Sequence, residues 1–321
     1  MHILDEYLNI IESGLKNIKY PASPAGLYDP VVYTLEGGGK RLRPTLVLAS
    51  AEAFGLDCEA ALNQALAVEM FHNFTLLHDD VMDRADMRRG RPTVHVRWDD
   101  RTAILSGDAM LTMSNILVRR GVQTDVAVSA ARLLDRTAME VYEGQQYDMD
   151  FETRHDVTVD DYLNMIRLKT SVLLGCACGM GALVAGASEE CRQAMYAYGV
   201  QLGLAFQLQD DYLDTYGDPI IFGKEIGGDI LNDKKTWLSI TALNEDSTGE
   251  LAAEMKHPSE PKEKIANVRA VYDRLDLGSR CHELIDRYVD EAIAELDKAS
   301  LKPVAREFFE SIALQSRTRS H

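Results

Sequence analysis

Apolar residues recur every three or four positions along most of the chain. The segments 62–81, LNQALAVEMFHNFTLLHDDV, and 242–255, ALNEDSTGELAAEM, show this spacing clearly. It is the period of a helix that buries one face. Alternating strand patterns are scarce, and VVYTL at 31–35 is too short and isolated to build a sheet. The pattern therefore predicts an all-α protein.

The length of the chain bounds the number of helices and domains. With 321 residues, 46% of them hydrophobic, the chain can bury one large core or two modest ones. Local Gly and Pro clusters punctuate the helical stretches, but no low-complexity linker and no short-period repeat divides them. We therefore predict a single domain over residues 1–321 with on the order of ten or more helices, some of which surround others.

One uncharged stretch, TSVLLGCACGMGALVAGAS at 170–188, would reach roughly 30 Å as a helix, close to the thickness of a bilayer core. We interpret it as a buried helix of a soluble protein. It is built of Ala, Gly and Cys, and such small residues allow another backbone to approach closely. The first 18 residues are acidic where a signal peptide needs positive charge. We predict no transmembrane segment.

Charge and cysteine usage narrow the possible partners. The chain has 34 basic and 51 acidic residues, a net charge of −17. This charge argues against nucleic acid or an anionic membrane surface as a partner, because either would repel the protein. The five cysteines are odd in number and show no CxxC spacing, which suggests neither a disulfide framework nor a zinc site. We therefore predict a cytoplasmic protein.

Two motifs, HDDVMD at 78–83 and QDDYLD at 209–214, carry three aspartates at the same spacing. On a helix, positions i and i+4 share a face while i+1 lies about 100° round. Like charges on one face destabilise a helix unless a cation compensates. Carboxylate oxygens without a nearby cysteine select a hard cation, and carboxylates that share the ion with a phosphate suit Mg²⁺. The candidate metal ligands are Asp79, Asp80, Asp83, Asp210, Asp211 and Asp214.

Either motif alone would be typical of a solvated acidic surface in so acidic a chain. Each motif, however, directly follows strongly apolar turns, NFTLL and GLAFQL, so the acids lie where a core-facing helix meets an opening. Basic residues supply the complementary charge. GGGKRLRP at 37–44 places three glycines before its cations, which lets the backbone approach an anion. Arg88, Arg89, Lys169, Lys224 and Lys234 complete a set that predicts a polyphosphate site.

Five sequence blocks resemble, in order and over roughly residues 37–240, the trans-isoprenyl diphosphate synthases, also called polyprenyl synthetases. They are GGKRLRP, HDDVMDRADMRRGRP, KTS, GLAFQLQDDYLDTYGD and GKEIGGDILNDKKTW. The resemblance implies the isoprenoid synthase fold, with helices around a central active-site cavity, usually as a homodimer. It implies an enzyme that joins isopentenyl diphosphate to dimethylallyl, geranyl or farnesyl diphosphate with about three Mg²⁺ and releases diphosphate.

The resemblance also implies individual roles. Direct Mg²⁺ ligands would be Asp79, Asp83 and Asp210, supported by the other three aspartates. The allylic diphosphate would be bound by Arg88, Lys169 and Lys224. Isopentenyl diphosphate would be bound by Lys40, Arg43, His72 and Arg89, although His72 by itself would be interpreted as a core histidine. The catalytic set would be Lys169, Thr170, Gln207, Lys224 and Lys234, in which the oxygens of Thr170 and Gln207 face the developing allylic cation.

Product length would depend on bulky residues before Asp79, because the resemblance implies that the product grows along this helix. Phe74 lies five residues earlier, roughly 7 Å up the helix, and is followed by the small Thr75. An aromatic residue at position 74 but not at position 75 resembles short geranylgeranyl synthases. The segments QDDYLDTYGDP and KKTW, in contrast, resemble the farnesyl type. We predict a C15 to C20 product, with Phe71 and Met70 as deeper floor residues.

Three alternatives stay open from the sequence. A class I terpene cyclase also ionises allylic diphosphates with an aspartate motif, but normally lacks a GGKRLRP block. A catalytically silent subunit of a heteromeric prenyl synthase would usually have lost acids from one motif, and all six are present. An acidic metal-buffering protein would not need the clustered cations.

Overall fold

The structure, a computed structural model, describes residues 1–217 and 226–318, and it is built from helices. The helices are α1 (Leu4–Asn17), α2 (Ala25–Leu35), α3 (Leu42–Ala53), α4 (Leu62–Met82), α5 (Val94–Arg97), α6 (Asp100–Leu117), α7 (Thr124–Thr153), α8 (Val159–Ile166), α9 (Val172–Val184), α10 (Glu189–Tyr216), α11 (Gly228–Leu231), α12 (Trp237–Glu245), α13 (Glu250–Lys256), α14 (Pro261–Arg274), α15 (Leu277–Lys298) and α16 (Pro303–Thr318). A 3₁₀ turn covers Cys58–Ala61 and a π-helical turn covers Arg167–Ser171. The all-α prediction is confirmed.

The chain forms two compact units, each made of three separate stretches. Unit 1 comprises Met1–Thr137, Cys176–Tyr196 and Ala299–Ala305. Unit 2 comprises Ala138–Gly175, Ala197–Lys298 and the stretch from Arg306 to the end of the described chain. A single domain over 1–321 stays a prediction.

The core of unit 1 is built around α4, whose residues are buried on most sides, as Val68, Met70 and Phe71 illustrate. Polar side chains tie α4 to α6 and to the chain that follows α6. The hydroxyl of Ser114 donates to the carbonyl of Ala67 at 2.7 Å, and the side-chain amide of Gln64 donates to the carbonyl of Val118 at 3.0 Å. Because these bonds satisfy buried carbonyl groups, they hold α4 in one register.

The uncharged stretch at 170–188 is part of the protein interior. Within unit 1, a Cβ on Gly181 would lie 2.1 Å from the carbonyl oxygen of Val47, so α9 packs on α3 with its backbone almost in contact. One segment, Val159–Val184, is long and apolar enough to cross a bilayer, but 78% of its apolar window is buried within the protein. This burial is what a core helix shows.

One short stretch agrees with the sequence pattern and another departs from it. VVYTL forms the last turns of α2 and belongs to no sheet. A short antiparallel hairpin pairs β1 (Met87–Arg88) with β2 (Arg91–Pro92), which the scarcity of strand patterns did not indicate. Its two-residue loop has positive φ at both positions, 52° at Arg89 and 73° at Gly90, as a type I′ turn requires.

Candidate active site

The first aspartate motif lies at the end of α4 in unit 1. Asp79 is in the last turn and half-buried, and Asp83 is the exposed residue that ends the helix. The N–H of Asp83 donates to the carbonyl of Asp79 at 2.8 Å, which keeps the two residues one turn apart on the same face. Asp80 lies round the helix from them and is only 5% exposed.

The hairpin after α4 brings Arg88 back to this buried aspartate. Arg84 takes a left-handed conformation with φ of 54° and so helps to end the helical path. Four residues after Arg84, Nε of Arg88 donates to Oδ1 of Asp80 at 2.7 Å. Burial raises the pKa of Asp80, and the positive charge of Arg88 opposes that rise. Arg88 therefore offsets part of the cost of burying this carboxylate.

Arg89, at the tip of the hairpin, reaches the glycine turn that precedes α3. Its guanidinium donates to the carbonyl of Gly38, and a Cβ on Gly39 would lie 2.9 Å from Nη2 of Arg89. The φ of 137° at Gly39 is one that side-chain-bearing residues rarely adopt, so this turn favours glycine. Burial lowers the pKa of Arg89. The negative charge of Glu69 opposes this shift, and the positive charges of Arg41 and Arg88 add to it. The turn thus gathers guanidinium groups that an anion would stabilise.

His72 and Arg43 also meet in unit 1. Nη1 of Arg43 lies 3.2 Å from Nε2 of His72, and a guanidinium can only donate, so this ring nitrogen accepts. Burial holds the pKa of His72 well below its usual value, and the charges of Arg43 and Arg89 add to the effect. His72 is therefore neutral beside several cations. Lys40, one residue past the glycines, is exposed.

Arg41 anchors this basic turn. Its side chain is 1% exposed, and its guanidinium donates to Glu12 at 2.8 Å, to Glu69 at 2.6 Å and to the carbonyl of Leu35 at 2.6 Å. Its φ of 48° is left-handed, so the turn is strained and its contacts hold it in place. Arg41 holds the backbone from which Lys40 and Arg43 project.

The second aspartate motif lies on α10 in unit 2. Asp210 and Asp214 are half-buried, while Asp211 is 6% exposed. Oδ2 of Asp211 accepts from the hydroxyl of the fully buried Tyr162, and Oδ1 accepts from the side-chain amide of Gln207 at 3.0 Å. The oxygen of the same amide accepts from the hydroxyl of Thr170 at 3.0 Å. Thr170, Gln207 and Asp211 therefore form one hydrogen-bonded chain.

A π-helical turn presents Lys169 and Thr170. Such turns are rare and occur frequently at functional sites. Glycines on two helices pack against it: a Cβ on Gly144 of α7 would lie 2.3 Å from the backbone nitrogen of Lys169, and one on Gly203 of α10 would lie 2.5 Å from Cα of Ser171. Nζ of Lys169 donates to Asp148, also on α7. The two glycines and this ion pair set the position of the Lys169 ammonium.

Lys234 lies among carboxylates of unit 2. Its Nζ is 3.2 Å from Asp229 and 3.9 Å from Asp211. Burial would lower the pKa of Lys234, but Asp211 and Asp229 outweigh it and raise that pKa. Burial raises the pKa of Asp229 to about 7, with Asp211 and Asp214 adding to the rise and Lys234 opposing it. The N–H of Asp229 also donates to Asp214 at 2.8 Å.

The two aspartate motifs share one arrangement of buried and accessible carboxylates. In each, the middle aspartate is buried and bound by protein donors, namely Arg88 on Asp80 and Tyr162 with Gln207 on Asp211. The first and last aspartates share a helix face and are more accessible. The accessible donors are carboxylate oxygens, which suit a hard divalent cation such as Mg²⁺.

The residues predicted to limit product length lie in the core of unit 1. Phe74 is 5% exposed, and its ring contacts those of Phe71 at 5.6 Å and His78 at 4.8 Å between centroids. Phe71 and Met70 are fully buried. The hydroxyl of Thr75 donates to the carbonyl of His72 at 2.8 Å. An aromatic cluster thus fills the face of α4 one turn before the aspartates.

Lys224 lies outside the described residues. The sequence reasoning missed Arg41 as an anchor and also missed Gly144, Asp148, Tyr162 and Asp229. Only Gly144 left a signal, because a glycine inside a helical pattern is unfavourable and implies a packing reason.

Comparison with known proteins places this site in context. The polyprenyl synthetase family model matches residues 24–275. A geranylgeranyl diphosphate synthase of Methanosarcina mazei is 40% identical over 247 residues, 76% of each chain. A crystal structure of a geranylgeranyl pyrophosphate synthase is 46% identical, with a TM-score of 0.95 over 100% of both chains. A polyprenyl synthase from Caulobacter crescentus CB15, solved with calcium and isoprenyl diphosphate, is 26% identical, with a TM-score of 0.85 over 99% and 98%.

Proposed function

Because the chain belongs to the polyprenyl synthetase family, we propose that it is a short-chain prenyltransferase that joins isopentenyl diphosphate to allylic diphosphates and stops mainly at C20. The observation that carries this proposal is the repeated arrangement of the two aspartate motifs. Each keeps a buried middle aspartate bound by protein donors, and its first and last aspartates share a more accessible face of the helix. The relatives named geranylgeranyl synthases support C20 within the predicted range of C15 to C20.

The aspartates and three cations would act on the allylic diphosphate. Asp79, Asp83 and Asp210 would hold Mg²⁺, which neutralises charge on the departing diphosphate. Arg88 and Lys169 would add positive charge directly. Both already pair with a carboxylate, Asp80 and Asp148 respectively, so their side chains are oriented before substrate binds. Lys224 would belong to this group by sequence alone.

Isopentenyl diphosphate would be bound by the basic turn of unit 1. Lys40, Arg43 and Arg89 supply the charge, and the glycines let the backbone approach the anion. His72 adds a hydrogen-bonding group without adding charge, because its depressed pKa keeps the ring neutral. This matters beside the guanidinium groups of Arg43 and Arg89, where a further cation would destabilise the empty site.

Thr170 and Gln207 would stabilise the allylic cation. Their side chains are linked to each other and to Asp211, so their oxygens and the nearby carboxylate are held before the charge develops. The double bond of isopentenyl diphosphate would attack the allylic carbon, and the released diphosphate would accept the proton that leaves. Catalysis would then come from positioning and electrostatics rather than from a dedicated side-chain base.

Product analysis of the purified chain tests the proposal. Incubation with isopentenyl diphosphate and dimethylallyl, geranyl or farnesyl diphosphate should give mainly a C20 diphosphate in the presence of Mg²⁺. Asp79→Ala should abolish turnover while the far-ultraviolet circular dichroism stays unchanged. Cyclised hydrocarbons without consumption of isopentenyl diphosphate would indicate a terpene cyclase, and an inactive wild-type chain would indicate a silent subunit.

Phe74 would set the stopping point. Phe74→Ala removes most of a buried ring one turn before the aspartates, so products longer than C20 should form. Phe151→Ala is the matched control, since it removes an equally buried ring from α7 of unit 2 and should leave the product distribution unchanged. Unchanged products from Phe74→Ala would argue against this residue as the length determinant.

We also propose a homodimer in the cytoplasm. The α6 helix leaves Ile104, Leu105 and Ile116 47%, 58% and 53% exposed, an apolar surface that a second copy would cover. All five cysteines are free, which suits a reducing compartment. Light scattering coupled to gel filtration should give twice the chain mass, and Leu105→Glu should lower it.

A further inference from the structure

A mixed cluster of metal-binding side chains lies in unit 1 and shares no residue with the aspartate motifs. It joins His2, which precedes α1, to Glu52 at the end of α3 and Cys58 at the start of the 3₁₀ turn. One ligand atom from each lies within 4.8 Å of the other two. We propose that these three side chains bind a zinc ion.

The spacing of the ligand atoms suits zinc. Bonds of about 2.0–2.3 Å in a tetrahedron place neighbouring ligand atoms roughly 3.3–3.7 Å apart. Nδ1 of His2 lies 3.0 Å from Oε2 of Glu52 and 3.7 Å from Sγ of Cys58. The ligand atoms of Glu52 and Cys58 lie within 4.8 Å of each other, so the side chains would close around an ion with shifts of up to about 1 Å.

The carboxylate of Glu52 is already oriented. The buried hydroxyl of Tyr7 donates to Oε2, and the backbone N–H of His2 donates to the same oxygen at 3.1 Å. Such supporting bonds to a ligand fix its direction and preserve the site when no metal is bound. The side chain of Glu52 is 20% exposed, and its Oε1 pairs with the terminal ammonium of Met1 at 3.1 Å, so an ion would bind through Oε2.

Charge and donor chemistry favour a divalent ion that accepts nitrogen and sulfur. Asp57 and Glu59 flank Cys58 in the chain and, with Glu52, line an open depression over the cluster. Water in that depression could supply a fourth ligand. Imidazole and thiolate are ligands that zinc takes readily and that Mg²⁺ does not. Binding would form a zinc–sulfur bond and release the thiol proton of Cys58 to solvent.

Cobalt substitution provides a direct test, because a cobalt–thiolate bond gives a near-ultraviolet charge-transfer band that carboxylates do not give. Protein comprising residues 1–321 without an added tag, stripped of metal, would be titrated with Co²⁺ in excess Mg²⁺ so that the aspartate motifs are occupied. One equivalent should develop the band, and Zn²⁺ should remove it. Cys58→Ser should lose the band, whereas Cys191→Ser should keep it.

A second variant and a second readout guard against misfolding of Cys58→Ser. His2→Ala alters a residue near the chain start and should weaken Co²⁺ binding at least tenfold while prenyltransferase turnover stays unchanged. Zn²⁺ should raise the melting temperature of the wild type but not that of His2→Ala. Absence of the band in the wild type, or its persistence in Cys58→Ser, would overturn the proposal.

Discussion

The close approach of α7 to the π-helical turn makes Gly144→Ala an informative perturbation. The new methyl carbon would lie 2.3 Å from the backbone nitrogen of Lys169 and 2.7 Å from Cα of Lys169. Ordinary contacts of this kind are longer by about 1 Å, and the atoms met are backbone, which cannot rotate away. The turn that presents Lys169 and Thr170 must therefore move.

The expected magnitude follows from that displacement. Overpacking of a buried site destabilises by about 1–3 kcal/mol, partly offset by about 1 kcal/mol because alanine favours a helix over glycine. The melting temperature should then fall by only a few degrees. A shift of about 1 Å in a positioning group can slow turnover on the order of 100-fold. Activity should consequently fall far more than stability.

The assay compares turnover and stability with a matched control. Rates with saturating isopentenyl and geranyl diphosphates would be measured well below the melting temperature of each variant. Gly179→Ala makes the same change in the buried helix α9, where the nearest atom is an ordinary 3.5 Å away, and it should leave both quantities near wild type. Wild-type turnover in Gly144→Ala would refute the idea that this contact positions Lys169.

The remaining predictions concern two other contacts of unit 2. Tyr162→Phe removes a buried donor to Asp211, so the free energy of unfolding should fall by about 1–3 kcal/mol and half-maximal turnover should need more Mg²⁺. The control, Tyr198→Phe, removes a buried hydroxyl bonded to the carbonyl of Phe309 and should lower the free energy of unfolding alone. In Asp246, hydrogen bonds from Thr248 and from a backbone N–H at the start of α13 lower the pKa from 3.8 to about 2. This carboxylate stabilises above pH 3.8, so the deficit of Asp246→Ala in thermal unfolding should be full at pH 7 and shrink as pH falls towards 2; a deficit independent of pH would contradict this.

The helical fold was predictable because its signal is local. Apolar spacing along α4 and α10 determines which face of each helix is buried, whatever the partners are. The hairpin at 87–92 escaped prediction because two-residue strands have no period, and it is identified by its antiparallel pairing and the positive φ values of its turn. The uncharged stretch at 170–188 was correctly interpreted from its small residues, which pack against other backbones.

In the candidate site, too, local features were predictable from the sequence and contacts between distant residues were not. The shared face of Asp79 and Asp83 follows from helix geometry, and so does the separate direction of Asp80. The partners of the buried aspartates come from distant positions and have no local pattern, as with Tyr162, 49 residues from Asp211. The proposed zinc ligands are more scattered still, and their spacing resembles no zinc motif.

Sequence alone therefore determined the fold class, the family and the spacing of the candidate carboxylates, because repeated spacing and ordered motifs are properties of neighbours in the chain. Tertiary structure decided which carboxylates are bound by protein donors, where Lys169 is held, and that His2, Glu52 and Cys58 meet. Those outcomes depend on burial and on contacts between distant segments, which shift the pKa values of the carboxylates and decide which donors bind their oxygens.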